Sequence, residues 1–557
     1  MYDVCIIGGG QSGLTTCKTF SDKNIICLER SYDSIGMFST IKEKDYFTWS
    51  TSRYMSGFSD FPISKDIPVW FTIQNYLDYL TSYMKQFDLE KFIKYNSNVI
   101  NCVQNKNKEW VVTYQYFNSI TELTCKKLIV CSGLNQHPKY PDLDTFTGEI
   151  IHTDDVYKMD RFEWNSKFSD KRVLIMGGGE SAFDIGDLIT KYASKTYFTT
   201  KEYIEWFFKG DESNENKKRI NKIDDKCLNN LKPFFDNYDN PTDTGLTYIE
   251  YNLPEPISFL FHEYSRKILF QMYNEFNCNK CIHQIDDLCK INKTPDSLFN
   301  KYVVKRTEFL LDIYEKKVKV VYYPTNITNN TIYTKDDIFD VDIIICSTGY
   351  KKYFPFLKES VYKDTYIKKI IPQNTDNIAF IGFARPTMGS IALIAEMQSW
   401  WVKSYFENTL QYKIRSSYFR YNDPLDLSNN NINTLVIGCY YIKDLAKDLK
   451  IEPHMLYLLF TDFELFHKIL FGSCHPMIYR IHGNKSYTNA REVLINTLPV
   501  KDSHFVNMYK KYFFTLLHFI YLIFILCVTY IITQWIPYRK IWFIVIFIML
   551  IYLSYFI

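Results

Sequence analysis

An α/β fold carrying two Rossmann-like dinucleotide-binding units, one inserted into the other, follows from three features of the chain. The string Gly8-Gly9-Gly10-Gln11-Ser12-Gly13 comes directly after the apolar run Tyr2–Ile7, and Gly177-Gly178-Gly179-Glu180-Ser181-Ala182 comes directly after Arg172–Met176. A further apolar run closed by a small-residue turn, 342–350, then returns the chain towards the first unit. Holding a pyrophosphate requires a strand that turns tightly into a helix, so that free backbone N–H groups and the positive helix end face the anion. Glycine lets the backbone come that close.

In chain order, the first unit opens with Tyr2–Ile7 and passes through the fingerprint helix into the strand Asn24–Leu28. Glu29 ends that strand, where a carboxylate takes ribose hydroxyls, so Gly8, Gly9, Gly10, Gln11, Ser12, Gly13 and Glu29 read as an FAD site. Strand-like segments 110–114 and 128–133 follow, with Pro138 and Pro141 beyond. In the second unit the strand 195–200 ends in Lys201, a cation where an NAD site shows an acid. A cation suits a 2′-phosphate, so Gly177, Gly179, Ser181, Thr200 and Lys201 read as an NADPH site. A late strand, 378–382, and a helical pattern from Gly389-Ser390 through Glu396 and Trp401 complete the first unit. That helix start is expected to aim its dipole at the anionic edge of a reduced flavin. The expected organisation is an FAD-binding domain in two parts, 1–156 and 336–445, with an inserted NADPH-binding domain at 157–335. A C-terminal extension, 446–511, and a membrane anchor, 512–557, follow.

The net charge of +3 over 557 residues gives no sign of a nucleic-acid partner. The 14 cysteines are scattered through strand and helix segments, unlike a secreted disulfide framework, and a reducing compartment is expected. The first strand starts by Tyr2, which leaves no room for a signal peptide ahead of the fold. Tyr512–Ile536 is an uncharged apolar run long enough to span a hydrocarbon core of about 30 Å. After Pro537-Tyr538-Arg539-Lys540, a second run, 541–557, stands at the lower limit of that length. One or two transmembrane helices are therefore expected, with Lys510 and Lys511 favouring a cytosolic catalytic part.

The motifs around these elements resemble those of the flavin-containing monooxygenases, and the resemblance covers essentially the whole chain. Leu28-Glu29-Arg30-Ser31 through Ile35-Gly36-Met37-Phe38 is similar to that family's ribose-binding strand and FAD-contacting loop. Phe146 to His152 matches its FxGxxxH signature, and Ser347-Thr348-Gly349-Tyr350 its (A/S)TGY turn, with Phe354-Pro355-Phe356 following. Phe471-Gly472-Ser473-Cys474 and Asn489-Ala490-Arg491 look like the family's C-terminal portion. Three positions depart from the pattern. Tyr157 stands one place late after His152, Ile35-Gly36 replaces a double glycine, and Ser50 stands where the family places an active-site asparagine.

The resemblance implies an N,N-dimethylaniline monooxygenase-like enzyme of the endoplasmic reticulum membrane. In it NADPH reduces FAD, O2 forms a C4a-hydroperoxyflavin, and a soft amine or sulfide attacks the bound oxygen. Ser50 and Thr51 are then the residues at the reacting edge, and Met37 and Phe38 contact FAD. His152, within a linker motif, is expected to be structural. Cys278, Cys281, His283 and Cys289 lack a second half-site, so no metal is expected. A disulfide reductase needs a CxxC against the flavin, and Cys278–Cys281 falls late in the inserted domain. Three alternatives stay open: Baeyer–Villiger oxygenation, for which Trp-Pro would replace Val156-Tyr157; an uncoupled NADPH oxidase releasing hydrogen peroxide; and a non-catalytic NADPH-binding membrane protein.

Overall fold

The computed structural model describes residues 1–32, 35–201, 213–222, 243, 304, 306–363, 366–386, 389–410, 435–436, 438–482, 486–487 and 489–498. The expected anchor, 512–557, and the Cys278–Cys289 cluster lie outside these residues. Among the described residues no helix is long and apolar enough to cross a membrane.

The first sheet is built on β1 (Tyr2–Ile7), whose last four residues are buried. β1 pairs in parallel with β2 (Ile25–Leu28) on one side, and β2 with β3 (Ile93–Lys94). Antiparallel β4 (Ser97–Gln104) and β5 (Trp110–Tyr116) extend the other side through β6 (Ser119–Val130). β6 changes partner along its length. Ser119 to Cys125 pairs with β5, whereas Leu128 to Val130 lies between β1 and the late strand Ile378–Phe380. The buried end is apolar throughout, as a strand covered on both faces must be.

The second sheet is parallel throughout. It contains β7 (Glu149–His152), β8 (Arg172–Met176), β9 (Lys195–Thr199) and β10 (Val318–Val320). A small antiparallel sheet, β11 (Asn326–Thr328), β12 (Thr331–Tyr333) and β13 (Ile338–Asp340), precedes the last member of the parallel sheet, β14 (Ile343–Cys346). The parallel order is β10-β9-β8-β14-β7. The expected boundaries at 156/157 and 335/336 therefore cut across this sheet, because β7 and β14 belong to it rather than to the first. A short buried apolar run reads the same in either sheet, and only the pairing of Ile343 with both Val173 and Glu149 assigns it.

Helix α1 (Gln11–Thr19) leaves the first glycine loop, α2 (Ile73–Gln86) packs nearby, and α3 (Thr153–Tyr157) and α4 (Arg161–Phe168) lead into β8. Helix α5 (Glu180–Ile189) leaves the second glycine loop. The helix expected after Gly389-Ser390 is Ile391–Phe406. Ser390 caps it, its hydroxyl accepting from Ala392 N–H at 3.1 Å.

Candidate active site

In each sheet the fingerprint loop leaves a strand flanked by a parallel neighbour on either side, β2 and β6 around β1, and β9 and β14 around β8. These are the switch points at which open α/β sheets bind ligands. A Cβ on Gly13 would lie 1.9 Å from the Gly8 carbonyl oxygen, so the first turn of α1 fits the loop only as glycine. At the second loop Gly177 has φ +128°, and a Cβ there would meet Ser347 O at 2.3 Å.

Both loops have the form of a phosphate cradle. The N-caps of α1 and α5 are Gly10 and Gly179, with no side chain bonded to the helix end, so the first N–H groups face outward without a cap. Nothing lies within 4 Å of a Cβ built on Gly179. Beside the second loop, the hydroxyls of Thr199 and Ser347 are buried without a hydrogen-bond partner among the described residues. These features fit a bound dinucleotide. Glu29 is 6% exposed; its Oε2 accepts from Gly9 N–H at 2.6 Å, and its Oε1 from Ser31 N–H at 2.8 Å. The carboxylate thus stands against the first glycine loop. Lys201 is exposed at the end of β9, its ammonium 4.8 Å from the Tyr323 ring centroid, and Thr200 beside it is half-buried.

The remaining flavin-side residues converge on Tyr76. Its hydroxyl donates to Gln11 Oε1 at 2.6 Å and also interacts with Ser390, the cap of Ile391–Phe406. Its ring stacks on Trp49 at 4.0 Å, and Phe38 meets Trp49 edge-on at 4.6 Å. Met37 and Phe38 are thereby brought to the segment that carries Ser50 and Thr51. Gly36, at φ 67°, makes the turn before them alone, while Ile35 is buried. Ser12 is buried, and a Cβ on Gly382 would lie 2.2 Å from its hydroxyl. The start of α1 and the approach to the late helix are thus in direct contact.

The Ser50 segment is held from both ends. Trp49 N–H donates to Phe71 O at 2.7 Å, and Ser56 Oγ donates to Ser52 O at 2.8 Å. Asp243 Oδ2 accepts from Ser52 N–H at 2.7 Å, with both residues buried. Thr51 is buried and Ser50 is partly exposed. Asp243 and Tyr76 were not legible as site residues, because each stands alone in sequence outside any fingerprint.

His152 has the structural role expected. Its Nδ1 accepts from Asp154 N–H at 3.2 Å, which leaves the proton on Nε2 to donate to Gly349 O at 3.1 Å. The imidazole is fully buried, and desolvation holds its pKa below the ordinary value. It ties the FxGxxxH segment to the STGY turn. Tyr157 lies at the end of α3, its hydroxyl donating to Asp184 on α5 at 3.1 Å.

Two switch-point glycine loops, in two sheets of one chain, define a flavoprotein oxidoreductase of the two-dinucleotide class. The flavin-binding monooxygenase-like family model matches residues 2–210 and 313–534, and the chain belongs to this family. It is an FAD-containing, NADPH-dependent monooxygenase. Among curated relatives, a 4-hydroxybenzoate brominase (decarboxylating) of Marinomonas mediterranea is 28% identical, covering 88% of this chain and 92% of its own. Human flavin-containing monooxygenase 5 is 26% identical, with 89% and 91% covered. In fold, the chain is similar to OTEMO solved with FAD and NADP (TM-score 0.51, 17% identity, 73% of this chain and 86% of that one). A cyclohexanone monooxygenase scores 0.52, at 15% identity, with 73% and 88% covered.

Proposed function

We propose that the enzyme oxygenates soft nitrogen or sulfur nucleophiles, namely small neutral amines or sulfides. The observation that carries this is the hydroxyl-only character of the segment at the expected reacting edge. Ser50, Thr51 and Ser52 contain no side chain able to take a proton at neutral pH. A substrate that attacks oxygen there must already be in its neutral, nucleophilic form, as a sulfide or a weakly basic tertiary amine is. Val156-Tyr157 after His152, in place of Trp-Pro, supports this class over Baeyer–Villiger oxygenation.

Bound FAD, reduced by NADPH, supplies the activation of O2. The protein's part is binding, orientation and dryness. Gly8, Gly9, Gly10, Gln11, Ser12 and Gly13 receive the FAD pyrophosphate at the start of α1, and Glu29 takes the ribose. Met37, Phe38 and Trp49 would wall the flavin when it is bound, and the buried aromatic stack on Tyr76 would keep water from it. Ser50 and Thr51 present hydroxyls to the reacting edge. Gly177, Gly179, Ser181, Thr200 and Lys201 receive NADPH, with Lys201 on the 2′-phosphate. The location that goes with this reading is the endoplasmic reticulum membrane; the uncharged run Tyr512–Ile536 supports the anchor itself, and Lys510 and Lys511 before it support a catalytic part facing the cytosol.

The test is product stoichiometry on purified, FAD-loaded protein given a thioether, a tertiary amine or a cyclic ketone. Sulfoxide or N-oxide formed in step with NADPH use is the expected result. Lactone from the ketone alone would move the enzyme to the Baeyer–Villiger class. Peroxide equal to NADPH with every substrate would make it an oxidase, and no NADPH use would leave only the binding role. For the anchor, the full chain should stay in the membrane pellet after alkaline carbonate washing, while a chain ending at residue 511 is released.

A further inference from the structure

Arg306 immediately precedes the helix Thr307–Tyr314 and is only 7% exposed. Its Nε lies 2.6 Å from Asp184 Oδ1 and 3.4 Å from Glu180 Oε2, both carboxylates being on α5. Its terminal nitrogens donate to Thr48 Oγ1 and Thr48 O, and one of them also donates to Asp184 Oδ2 at 3.3 Å. Thr48 stands two places before Ser50. Burial opposes the cation, and the fields of Asp184 and Glu180 outweigh it and keep the guanidinium charged. Residue 306 falls between the two stretches matched by the family model, which end at 210 and resume at 313.

Glu180 presents a difficulty that Arg306 resolves. A carboxylate in a first helical turn suits the helix dipole, but here that turn belongs to a loop shaped for a pyrophosphate. Glu180 and Asp184 together would set two negative charges against the incoming anion, in a partly buried place where screening is weak. We propose that Arg306 is a positioning residue that neutralises Glu180 and Asp184 so that the start of α5 can accept the NADPH pyrophosphate, and that it locks this helix end to the Thr48–Ser50 segment. The proposal rests on the second glycine loop being the NADPH site. Charge sets the affinity, and the forked contact with Thr48 sets the alignment of the two cofactor sites.

The readout is NADP+ binding to the full-length, FAD-loaded protein by titration calorimetry, which needs no turnover. Glu180→Gln keeps Arg306 and removes one repelling charge, so NADP+ binds more tightly than to the parent. Arg306→Gln weakens binding about tenfold or more, and adding Glu180→Gln to it recovers most of that loss. Arg306→Lys keeps the charge without the fork, so affinity stays within about threefold while peroxide released per NADPH rises. A purely structural arginine would show no recovery in the double variant, and that result overturns the proposal. If Arg306→Gln does not fold, Glu180→Gln decides alone: tighter binding supports the proposal, and unchanged or weaker binding overturns it. Gly179→Asp separates the two readings, since it sets a carboxylate at the loop itself. Should it leave NADP+ affinity unchanged, the NADPH site lies elsewhere and the proposal falls with it. Weakened binding in Gly179→Asp beside unaltered binding in Arg306→Gln overturns the role of Arg306 only.

Discussion

At the scale of single residues, Gly179 and Ser50 offer the sharpest tests, because at each the demands of the fold and of the ligand separate. Gly179 caps α5 in an extended conformation with open space around a would-be Cβ, and aspartate is a favoured N-cap residue. Gly179→Asp is therefore expected to leave the thermal midpoint unchanged or slightly raised, while NADP+ affinity falls about tenfold or more. Calorimetric titration beside a melting curve checks both halves. Ser50 is the partly exposed member of an otherwise fixed segment. Ser50→Asn lengthens the side chain by an amide able to make a second hydrogen bond. Peroxide released per NADPH should then fall by about half or more, measured with a thioether present at saturation.

At the scale of elements, the turn joining β7 to α3 shows how a motif can read as catalytic and act as a joint. His152 caps α3 through Nδ1 and holds the STGY turn through Nε2, with no ring nitrogen left over for a substrate. His152→Ala should cost about 1–3 kcal/mol by leaving the Asp154 N–H and the Gly349 carbonyl without it, measured by urea unfolding. The effect on the Michaelis constant for substrate should be small. The strands beginning at Tyr2 and Arg172, and the helix after Ser390, were legible because each is a local pattern, an apolar run ended by glycine or opened by a capping serine. The membership of β7 and β14 was not legible. Parallel strands far apart in sequence carry no mark of their neighbour, and the bond from Ser347 N–H to Met176 O that closes β14 on β8 exists only after folding.

For the whole molecule, stability depends on groups drawn from distant parts of the chain. Arg480, from the C-terminal extension, bonds Glu396 at 2.7 Å and Asp60 at 2.7 Å, stacks 4.4 Å from the Trp400 ring centroid, and shares Asp60 with Lys18. Removing one partner leaves buried charge uncompensated, so Arg480→Met is expected to destabilise by about 3–5 kcal/mol in chemical denaturation. His475, nearby in sequence, is buried; its Nδ1 accepts from Met477 N–H at 3.1 Å, and burial lowers its pKa to about 4. The folded value lies below the unfolded one, about 6.5, so the unfolded chain binds the proton first. This contribution to stability is full above about pH 6.5 and is lost as pH falls towards 4, amounting to about 3 kcal/mol. A melting series from pH 8 to 5 should show a steeper acid decline in the parent than in His475→Asn.

The sequence by itself determined the two phosphate loops, the strands that feed them, the family and its two cofactors, because a pyrophosphate turn is written in consecutive residues whose geometry is local. Only the tertiary structure decided which sheet owns β7 and β14, that Tyr76 gathers the flavin-side segments, and that Arg306 faces Glu180, Asp184 and Thr48 at once. Those facts are contacts between residues far apart in the chain, and a contact of that kind has no local pattern until the core that brings its members together has formed.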